Sequence, residues 1–333
     1  MHTTNLESVP RAEIKRRSGF ELVSHSAIAH LREGYFCKLD ISVSGDAPKD
    51  FLRVYDYGRG RKAHMSDWPA YIAKVGHKFY PNESVTEHLL TRVGQLLGLR
   101  MANSRLMWVR GQLRFLSEFF LKPDESLIHG AEIFAGHLAD KTFVEQVEQE
   151  QMERDIFTFQ VVEEAIIGRF PDYADEMMCD FVRLLGFDTI VGNNDRHHFN
   201  WGIITQVAAK RRPLFSPIFD TARALLWNTD ENGLVKHENQ ADQFIERYVR
   251  ECYPMIGWDG LDKPNHLAVS RKIVENFPLY RVALQDLVQL DLSQRVRNLL
   301  DEEFENLFSS RRKDFIVHCL HKRMDQFADV VTR

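Results

Sequence analysis

Short apolar stretches alternate with polar turns through the first third of the chain, a pattern typical of β-strands. Three such strands are predicted over residues 35–43, 51–57 and 71–75. Between Ser84 and Leu97 the apolar residues instead recur with a helical period, and Gly98 provides the stop signal of the predicted helix. Two further strands, 105–109 and 113–120, flank Arg110-Gly111 and predict a hairpin. This part of the chain is therefore predicted to be strand-rich, with one helix.

The pattern becomes mainly helical beyond Leu121-Lys122-Pro123. Helices are predicted over residues 144–168 and 172–191, with several more within 266–331. One hairpin interrupts them, because residues 201–206 and 214–219 are strand-like and flank the polar stretch 207–213. We therefore predict an α+β protein with a small strand-rich N-lobe over residues 1–121 and a larger helical C-lobe over residues 122–333.

Composition is that of an ordinary globular protein. The 333 residues are 44% apolar and 27% charged with a formal net charge of -5, which allows a large core and gives no general affinity for nucleic acid. The four cysteines are far apart and form no CxxC pair, so reduced thiols are expected. The N-terminus lacks an apolar signal segment, and no stretch approaches the ~20 apolar residues of a membrane span. We expect a cytoplasmic protein that neither enters a membrane nor binds nucleic acid directly.

The most specific chemistry lies between Gly192 and Asn200, in the run Gly-Asn-Asn-Asp-Arg-His-His-Phe-Asn. Phosphoryl transfer needs a carboxylate near the attacking hydroxyl and a few oxygen ligands that hold Mg²⁺ against the nucleotide phosphates. Asp195 and Asn200 are of these types and share one turn-prone segment, residues 193–200, which we call the catalytic loop. The predicted hairpin would return Asp220 beside Asn200. Because Asn and Asp are also common in plain turns, the prediction of a phosphotransferase rests on the combination.

Two residues of the strand-rich lobe add to this set. Lys74 lies in the apolar strand Tyr-Ile-Ala-Lys-Val, and Glu87 lies on the helix that follows. In kinases a strand lysine pairs with the α- and β-phosphates, and a helix glutamate holds that lysine by an ion pair. Taken alone, the two residues also fit a solubilising edge lysine and a solvent-facing glutamate. The turn Ser42 to Lys49, with one glycine, fits either a loop that covers phosphates with its amides or a plain hairpin turn.

Six motifs in this order resemble those of the HipA family of bacterial serine/threonine protein kinases. They are Ile-Ser-Val-Ser-Gly-Asp-Ala-Pro-Lys, Tyr-Ile-Ala-Lys, the Glu87 helix ending in Leu-Leu-Gly-Leu, Phe-Leu-Ser-Glu-Phe-Phe, Asn-Asp-Arg-His-His-Phe-Asn and Pro-Ile-Phe-Asp. The resemblance spans Ser42 to Leu225, and the Asp-x-His-x-x-Asn loop is also similar to that of phosphatidylinositol 3/4-kinases. It implies a two-lobed, protein-kinase-like fold with ATP and Mg²⁺ in the cleft.

The resemblance also implies roles for individual residues. Asp195 would be the catalytic aspartate, while Asn200 and Asp220 would bind Mg²⁺. A loop over residues 42–49 would cover the phosphates, and residues 118–120 would form the adenine-side connection between the lobes. The residues expected at the nucleotide are Ser42, Ser44, Gly45, Lys49, Lys74, Glu87, Glu118, Phe119, Phe120 and His197, the last as a support of the catalytic loop. Arg196 stays open between a phosphate contact and a local salt-bridge partner.

The chain departs from the family pattern in two places. Asp46-Ala47 stand where the phosphate loop usually has a small residue and Gln, which places an acidic side chain near phosphate. About 40 residues precede the loop, so the chain resembles the shorter members with a single kinase domain. Ser42 or Ser44 matches a serine that the family often keeps for control of activity, and autophosphorylation there is a hypothesis.

The resemblance further implies the toxin of a toxin-antitoxin system, with a small DNA-binding antitoxin as partner. The protein substrate would be a translation component such as an aminoacyl-tRNA synthetase. Two alternatives stay open. One is a lipid or small-molecule kinase, although no basic amphipathic helix favours the lipid form. The other is a non-catalytic pseudokinase scaffold, against which the joint presence of Lys74, Asp195, Asn200 and Asp220 argues.

Overall fold

The computed structural model describes residues 28–41, 49–76, 82–149, 152–206, 208 and 210–332. The first strands in these ranges are β1 His30–Leu31, β2 Phe36–Leu39, β3 Lys49–Val54, β4 Ala70–Lys74, β5 Ser104–Val109 and β6 Gln112–Glu118. They form one sheet in the order β1-β5-β6-β4-β3-β2, in which only the β1 and β5 pair is parallel. The five predicted strands are therefore confirmed with displaced ends, and β1 was not predicted.

Alternation along the strands gives this sheet two faces with different contents. Tyr71 and Ala73 point to one face, which we call the outer face, where they join apolar neighbours from β3 and β6 in a small cluster. Lys74 points to the opposite face, which we call the cleft face. The register places Lys74 directly across from Lys49 on β3 and Phe115 on β6. Strand alternation alone thus separates a lysine pair from the apolar cluster behind it.

Helix α1, Asn82–Leu96, packs on the cleft face. Its side chains Val85, Leu89 and Val93 are fully buried, because they recur along one stripe of the helix. The predicted helix is confirmed, and Gly98 behind it has a positive φ of 78°, which suits a C-terminal stop.

The remainder of the described chain is mainly helical. The helices are α2 Gly130–Leu138, α3 Lys141–Gln149, α4 Glu153–Ile156, α5 Phe159–Arg169, α6 Ala174–Val191, α7 Glu231–His237, α8 Ala241–Arg250, α9 His266–Asn276, α10 Pro278–Gln285, α11 Leu292–Glu302 and α12 Ser310–Thr332. A second, antiparallel sheet contains β7 Glu125–His129, β8 Gly202–Gln206 and β9 Leu214–Phe215. The predicted hairpin is confirmed as β8 and β9. Its second strand is short, however, and Ile218 instead forms an isolated bridge with Met101.

The single helix predicted over residues 144–168 is wrong, since this stretch is divided among α3, α4 and α5. The last break falls at Phe157 and Thr158. Thr158 is the N-cap of α5, where its side chain accepts a hydrogen bond from the backbone N–H of Val161. Phe157 is buried with its ring stacked 4.3 Å from that of Phe134, between ring centroids. Tertiary packing of the Phe157 side chain therefore overrides the helical period. Strand β7 and helix α2 are also absent from the elements predicted from the sequence.

Helix α6 carries the catalytic loop at its C-terminal end. Of its 18 residues, 13 are buried, so the helix lies within the core and gives the loop a rigid origin. All four cysteines are free thiols, as predicted. No helix in the described ranges is both long and apolar enough to cross a membrane.

Candidate active site

The catalytic loop begins where α6 ends, at Gly192. This residue is left-handed, with φ 73°, and its N–H donates to the carbonyl of Asp188 at 2.8 Å. A Cβ at Gly192 would lie 2.5 Å from the guanidinium carbon of Arg323, so a side chain here would be strained and would displace the buried guanidinium group. Arg323 in turn donates to the carbonyl of Thr189 at 3.0 Å, near the end of the helix. The direction in which the chain leaves α6 is thereby fixed.

Asp188, in the last turn of α6, holds the loop from within the core. Its carboxylate accepts hydrogen bonds from Arg196 Nε at 2.8 Å, from Arg196 Nη2 at 3.1 Å and from Asn193 Nδ2 at 2.9 Å. The Oδ1 atom of Asn193 accepts the backbone N–H of Asp195 at 3.2 Å. Arg196 is 1% exposed, so it is a buried ion-pair partner rather than a phosphate contact.

Asp195 is partly exposed, and a guanidinium group holds its carboxylate. Its side chain is 28% exposed, and Oδ1 accepts a hydrogen bond from Arg223 Nη1 at 3.1 Å. The backbone carbonyl of Arg223 also accepts the N–H of Asn194 at 3.3 Å. Burial raises the pKa of Asp195, and the charge of Arg223 opposes this shift without cancelling it. Asp195 is thus a carboxylate of increased basicity that can still be reached from solvent.

Asn200 is fixed by its amide nitrogen. The Nδ2 atom donates to the carbonyl of Asp195 at 2.8 Å and lies 3.2 Å from His197 Nε2. The contact with the Asp195 carbonyl requires the nitrogen, so the amide oxygen is the atom that a metal ion could use. His197 Nδ1 accepts the N–H of Phe199 at 3.3 Å, which makes His197 an internal support of the loop. His198 is buried among aromatic rings, and burial lowers its pKa to about 4.

Asp220 reaches the site from the segment after β9, and its carboxylate meets two lysines of the sheet. Lys74 Nζ lies 2.9 Å from Asp220 Oδ1, and Lys49 Nζ lies 3.6 Å from Asp220 Oδ2. Lys74 Nζ also donates to Glu87 Oε1 at 2.6 Å. The structure therefore brings four predicted site residues from β3, β4, α1 and the chain after β9 into one ion-pair cluster.

The charges in this cluster shift one another's ionisation. Burial would raise the pKa of Asp220, but Lys74 and Lys49 outweigh it and hold this pKa well below its usual range. Burial would lower the pKa of Lys74, but the carboxylates of Asp220 and Glu87 outweigh it and raise this pKa. Burial raises the pKa of Glu87 to about 7 despite its pairing with Lys74. The lysine and Asp220 are therefore both charged at neutral pH.

The residues expected on the adenine side, 118–120, continue from the end of β6. Glu118 lies across from Tyr71, on the outer face, and its carboxylate pairs with Arg59. Phe119 donates its N–H to the carbonyl of Ala70 at 2.8 Å and packs edge-on against Phe51 on the cleft face. The side chain of Glu118 therefore points away from the ion-pair cluster, and only the main chain of this residue is available on the cleft face.

A family model and solved structures both match this chain. The family model for the HipA-like C-terminal domain matches residues 41–277, which is more than half of the chain. The chain belongs to the HipA family. No curated protein sequence gives a significant match.

Two solved structures have a similar fold to this HipA-family chain. One is the proinflammatory kinase CtkA of Helicobacter pylori, with 18% identity and a TM-score of 0.66 over 86% of this chain and 94% of that one. The other is HipA of the Shewanella oneidensis MR-1 toxin-antitoxin system, solved with HipB and operator DNA, with 15% identity and a TM-score of 0.51. That match covers 87% of this chain and 65% of HipA. Both likenesses confirm the predicted α+β, kinase-like fold.

Part of the expected phosphate loop of this HipA-family protein is not described. Ser42, Ser44 and Gly45, together with Asp46, lie outside the described residues. Lys49 is described as the first residue of β3, and its ammonium group is directed at Asp220. The loop therefore leads into a strand whose first side chain is part of the ion-pair cluster.

The donor groups present fit a nucleotide-bound magnesium ion. In the described ranges no three His, Cys, Asp or Glu side chains are grouped as a metal site. Mg²⁺, however, keeps several waters and takes only one or two carboxylates when it is bound with substrate phosphates. The Asp220 carboxylate would be one such ligand, and the Asn200 amide oxygen would add a neutral oxygen ligand. In the ion-pair cluster the Asp220 carboxylate and the partly ionised Glu87 roughly offset the two lysines, so an added triphosphate would need a cation for balance.

Two residues at the site were not predicted from the sequence, Arg223 and Asp188. Arg223 follows Asp220 by three positions, and nothing local indicates that it would contact Asp195. Asp188 did leave a signal, because it is a lone carboxylate in the last two turns of α6, where residues 184–191 are all buried.

Proposed function

We propose that this HipA-family protein is an ATP-dependent serine/threonine protein kinase that transfers the γ-phosphoryl group of Mg·ATP to a protein hydroxyl. One observation carries the proposal: Lys74, Glu87 and Asp220 meet within ion-pair distance. The catalytic loop that holds Asp195 and Asn200 is tied to the same segment as Asp220, since Arg196 bonds to the carbonyls of both Asn200 and Phe219. This is the set of groups that phosphoryl transfer requires.

Each residue has a role that its contacts support. Asp195 orients the acceptor hydroxyl and takes its proton, with Oδ1 held by Arg223 and Oδ2 left for the acceptor. Lys74, oriented by Glu87, would neutralise phosphate oxygens, and Lys49 would add a second positive charge from β3. Asn200 and Asp220 would hold Mg²⁺, which when bound neutralises the charge that develops on the phosphates. The main chain of residues 118–120 would contact the adenine.

The proposal includes a partner, a substrate class and a location. HipA of Shewanella oneidensis was solved with HipB and operator DNA, which supports a small DNA-binding antitoxin as the partner of this protein in a toxin-antitoxin pair. The protein substrate would be a translation component such as an aminoacyl-tRNA synthetase, and the enzyme would act in the cytoplasm. The two lobes would be residues 1–121 and 122–333, with ATP between them, and Ser42 or Ser44 would be autophosphorylated.

The test is the Asp195→Asn variant with Mg·ATP, offered protein, lipid and small-molecule acceptors in separate arms. We expect phosphate transfer to protein to fall about 100- to 10,000-fold, because a general base is removed, while ATP affinity changes little. Asp172→Asn, at an exposed position in the 3₁₀ turn Pro171–Tyr173, is the matched control and should behave as wild type. Full activity of Asp195→Asn would show the assignment to be wrong.

Intact mass and acceptor choice test the finer parts of the proposal. Incubation of the wild-type protein with Mg·ATP should add 80 Da per phosphate, roughly the mass that phosphorylation contributes to a serine. No added mass would contradict autophosphorylation. Transfer to lipid but not to protein would replace the protein kinase by a lipid kinase, and the absence of ATP turnover would leave a pseudokinase.

A further inference from the structure

The ion pair of Asp188 and Arg196 connects the two segments that carry the proposed magnesium ligands. Arg196 Nη1 donates to the carbonyl of Asn200 and to the carbonyl of Phe219, at 2.8 Å each. The first carbonyl belongs to one proposed ligand, and the second belongs to the residue directly before the other, Asp220. A single nitrogen atom therefore touches both segments, which precede and follow the β8–β9 hairpin.

The guanidinium group itself cannot rotate, because Asp188 holds its other edge. Nε and Nη2 of Arg196 donate to Oδ2 and Oδ1 of Asp188, at 2.8 and 3.1 Å. Both side chains are 1% exposed, and Asp188 belongs to the buried last turn of α6. A two-pronged contact of this kind adds geometric definition to an ion pair, which a lysine in place of the arginine could not supply.

The backbone conformation of Asp220 is of a kind that neighbouring groups must hold in place. Asp220 has a positive φ of 53°, a left-handed conformation that residues other than glycine seldom adopt. Such conformations persist where the surroundings over-determine them. The hydrogen bond from Arg196 to Phe219 fixes the peptide unit immediately before Asp220.

We propose that Asp188 and Arg196 are positioning residues that set the distance between Asn200 and Asp220, and thereby the affinity for the magnesium ion that accompanies the nucleotide. This inference rests on the proposed function. A buried ion pair contributes little net stability compared with apolar residues of the same volume, so its presence beside the proposed ligands agrees with a role in geometry. Mg²⁺ demands near-ideal octahedral geometry, so a small change in ligand spacing weakens its binding.

The test measures the affinity for ATP by calorimetry over a series of Mg²⁺ concentrations, with an EDTA arm that reports metal-free ATP binding. In Arg196→Lys, which keeps the charge and loses the two-pronged contact, we expect the half-saturating Mg²⁺ concentration to rise about 10-fold, the typical cost of losing a residue that orients a metal ligand. The metal-free affinity should stay within about twofold of wild type. If Arg196→Lys does not fold, the double variant Asp188→Asn/Arg196→Gln carries the same test, because it leaves no lone buried charge.

Arg312→Lys is the matched control. Arg312 is 2% exposed and donates to Glu231 at 2.7 Å and to the carbonyl of Thr229 at 2.7 Å, so the variant loses buried guanidinium hydrogen bonds at a place away from the proposed ligands. It should lower thermal stability and leave the Mg²⁺ requirement unchanged. If Arg196→Lys loses stability but keeps the wild-type Mg²⁺ requirement, the pair is structural only and the inference is overturned while the kinase assignment stands. If wild-type protein binds ATP equally well in EDTA, the proposed function fails first and the inference with it.

Discussion

The two faces of the six-stranded sheet both bury ion pairs, but the pairs differ in what they connect. On the outer face, Arg114 of β6 pairs with Asp50 of β3, and their side chains are 7% and 10% exposed. On the cleft face, Lys74 pairs with Glu87 of α1 and with Asp220, whose side chain is 28% exposed. The outer pair is contained in the sheet, whereas the cleft pairs join the sheet to a helix and to the helical part of the chain.

This difference indicates that the outer-face pair stabilises the sheet, whereas the cleft-face pairs can take part in the chemistry. The Asp50 carboxylate is nearly buried and has two partners within the sheet, Arg114 and Lys38, so we expect this pair to contribute to the stability of the sheet. The Asp220 carboxylate is partly open and shared by two lysines, so its partners can be exchanged for phosphate and metal. The strand itself produces the contrast, because Lys49 and Asp50 are consecutive and therefore point to opposite faces.

The largest effect that would sharpen this contrast is expected for Lys74→Met. The variant removes the positive charge that faces the phosphates, and we expect phosphate transfer to fall about 100-fold or more, as for the loss of one group that stabilises the transition state. The loss is measured as the rate of ATP turnover and the rate of phosphate transfer to a protein acceptor. Activity within twofold of wild type would mean that the ion-pair cluster on the cleft face, like the Arg114 and Asp50 pair on the outer face, contributes to stability and not to phosphate transfer.

Arg114→Met should affect stability instead. It leaves Asp50 buried with only the exposed Lys38 as partner, so we expect the free energy of unfolding to fall by about 3 kcal/mol, at the low end for a broken buried pair. Urea unfolding measures this change, and calorimetry with Mg·ATP should show unaltered nucleotide affinity in the folded variant. A tenfold or greater loss of nucleotide affinity in folded Arg114→Met would break the distinction between the faces.

The helix that covers the cleft face provides a pH test. Burial lowers the pKa of His88 to about 4 from 6.5, and its Nδ1 lies 2.9 Å from Ser104 Oγ. Between these values the unfolded state binds a proton that the folded state does not, so the free energy of unfolding should fall as the pH falls from about 6.5 to 4. Burial lowers the pKa of His198 and His266 as well, so they add to the same pH dependence. The difference between the pH profiles of wild type and His88→Gln isolates the contribution of His88. Identical pH profiles for both proteins would contradict the prediction.

The smallest effect is expected for Glu118→Gln. The variant breaks a partly exposed pair with Arg59 on the outer face, which contributes less than about 1 kcal/mol. Nucleotide affinity should not change, because the side chain points away from the cleft. A tenfold weaker affinity for ATP would show that this carboxylate does reach the nucleotide and that the outer face is not separate from the site.

Local signals were enough to predict most elements of the fold. Period-two and helical patterns indicated five strands and α1, and Gly98 marked the end of that helix. The same reasoning failed for residues 144–168, where the burial of Phe157 and the capping by Thr158 break a stretch of helical period. Periodicity does not indicate where packing against a distant element makes a break favourable.

The sequence by itself determined which chemical groups are present and in which order, since Lys74, Glu87, Asp195, Asn200 and Asp220 could all be named before any coordinates. The tertiary structure decided which of these groups meet. It placed Asp220 between two lysines, buried Arg196 against Asp188, brought Arg223 to Asp195 and turned Glu118 to the outer face. The physical reason is that local patterns specify the face of each element, whereas an ion pair between distant residues depends on how whole elements pack together.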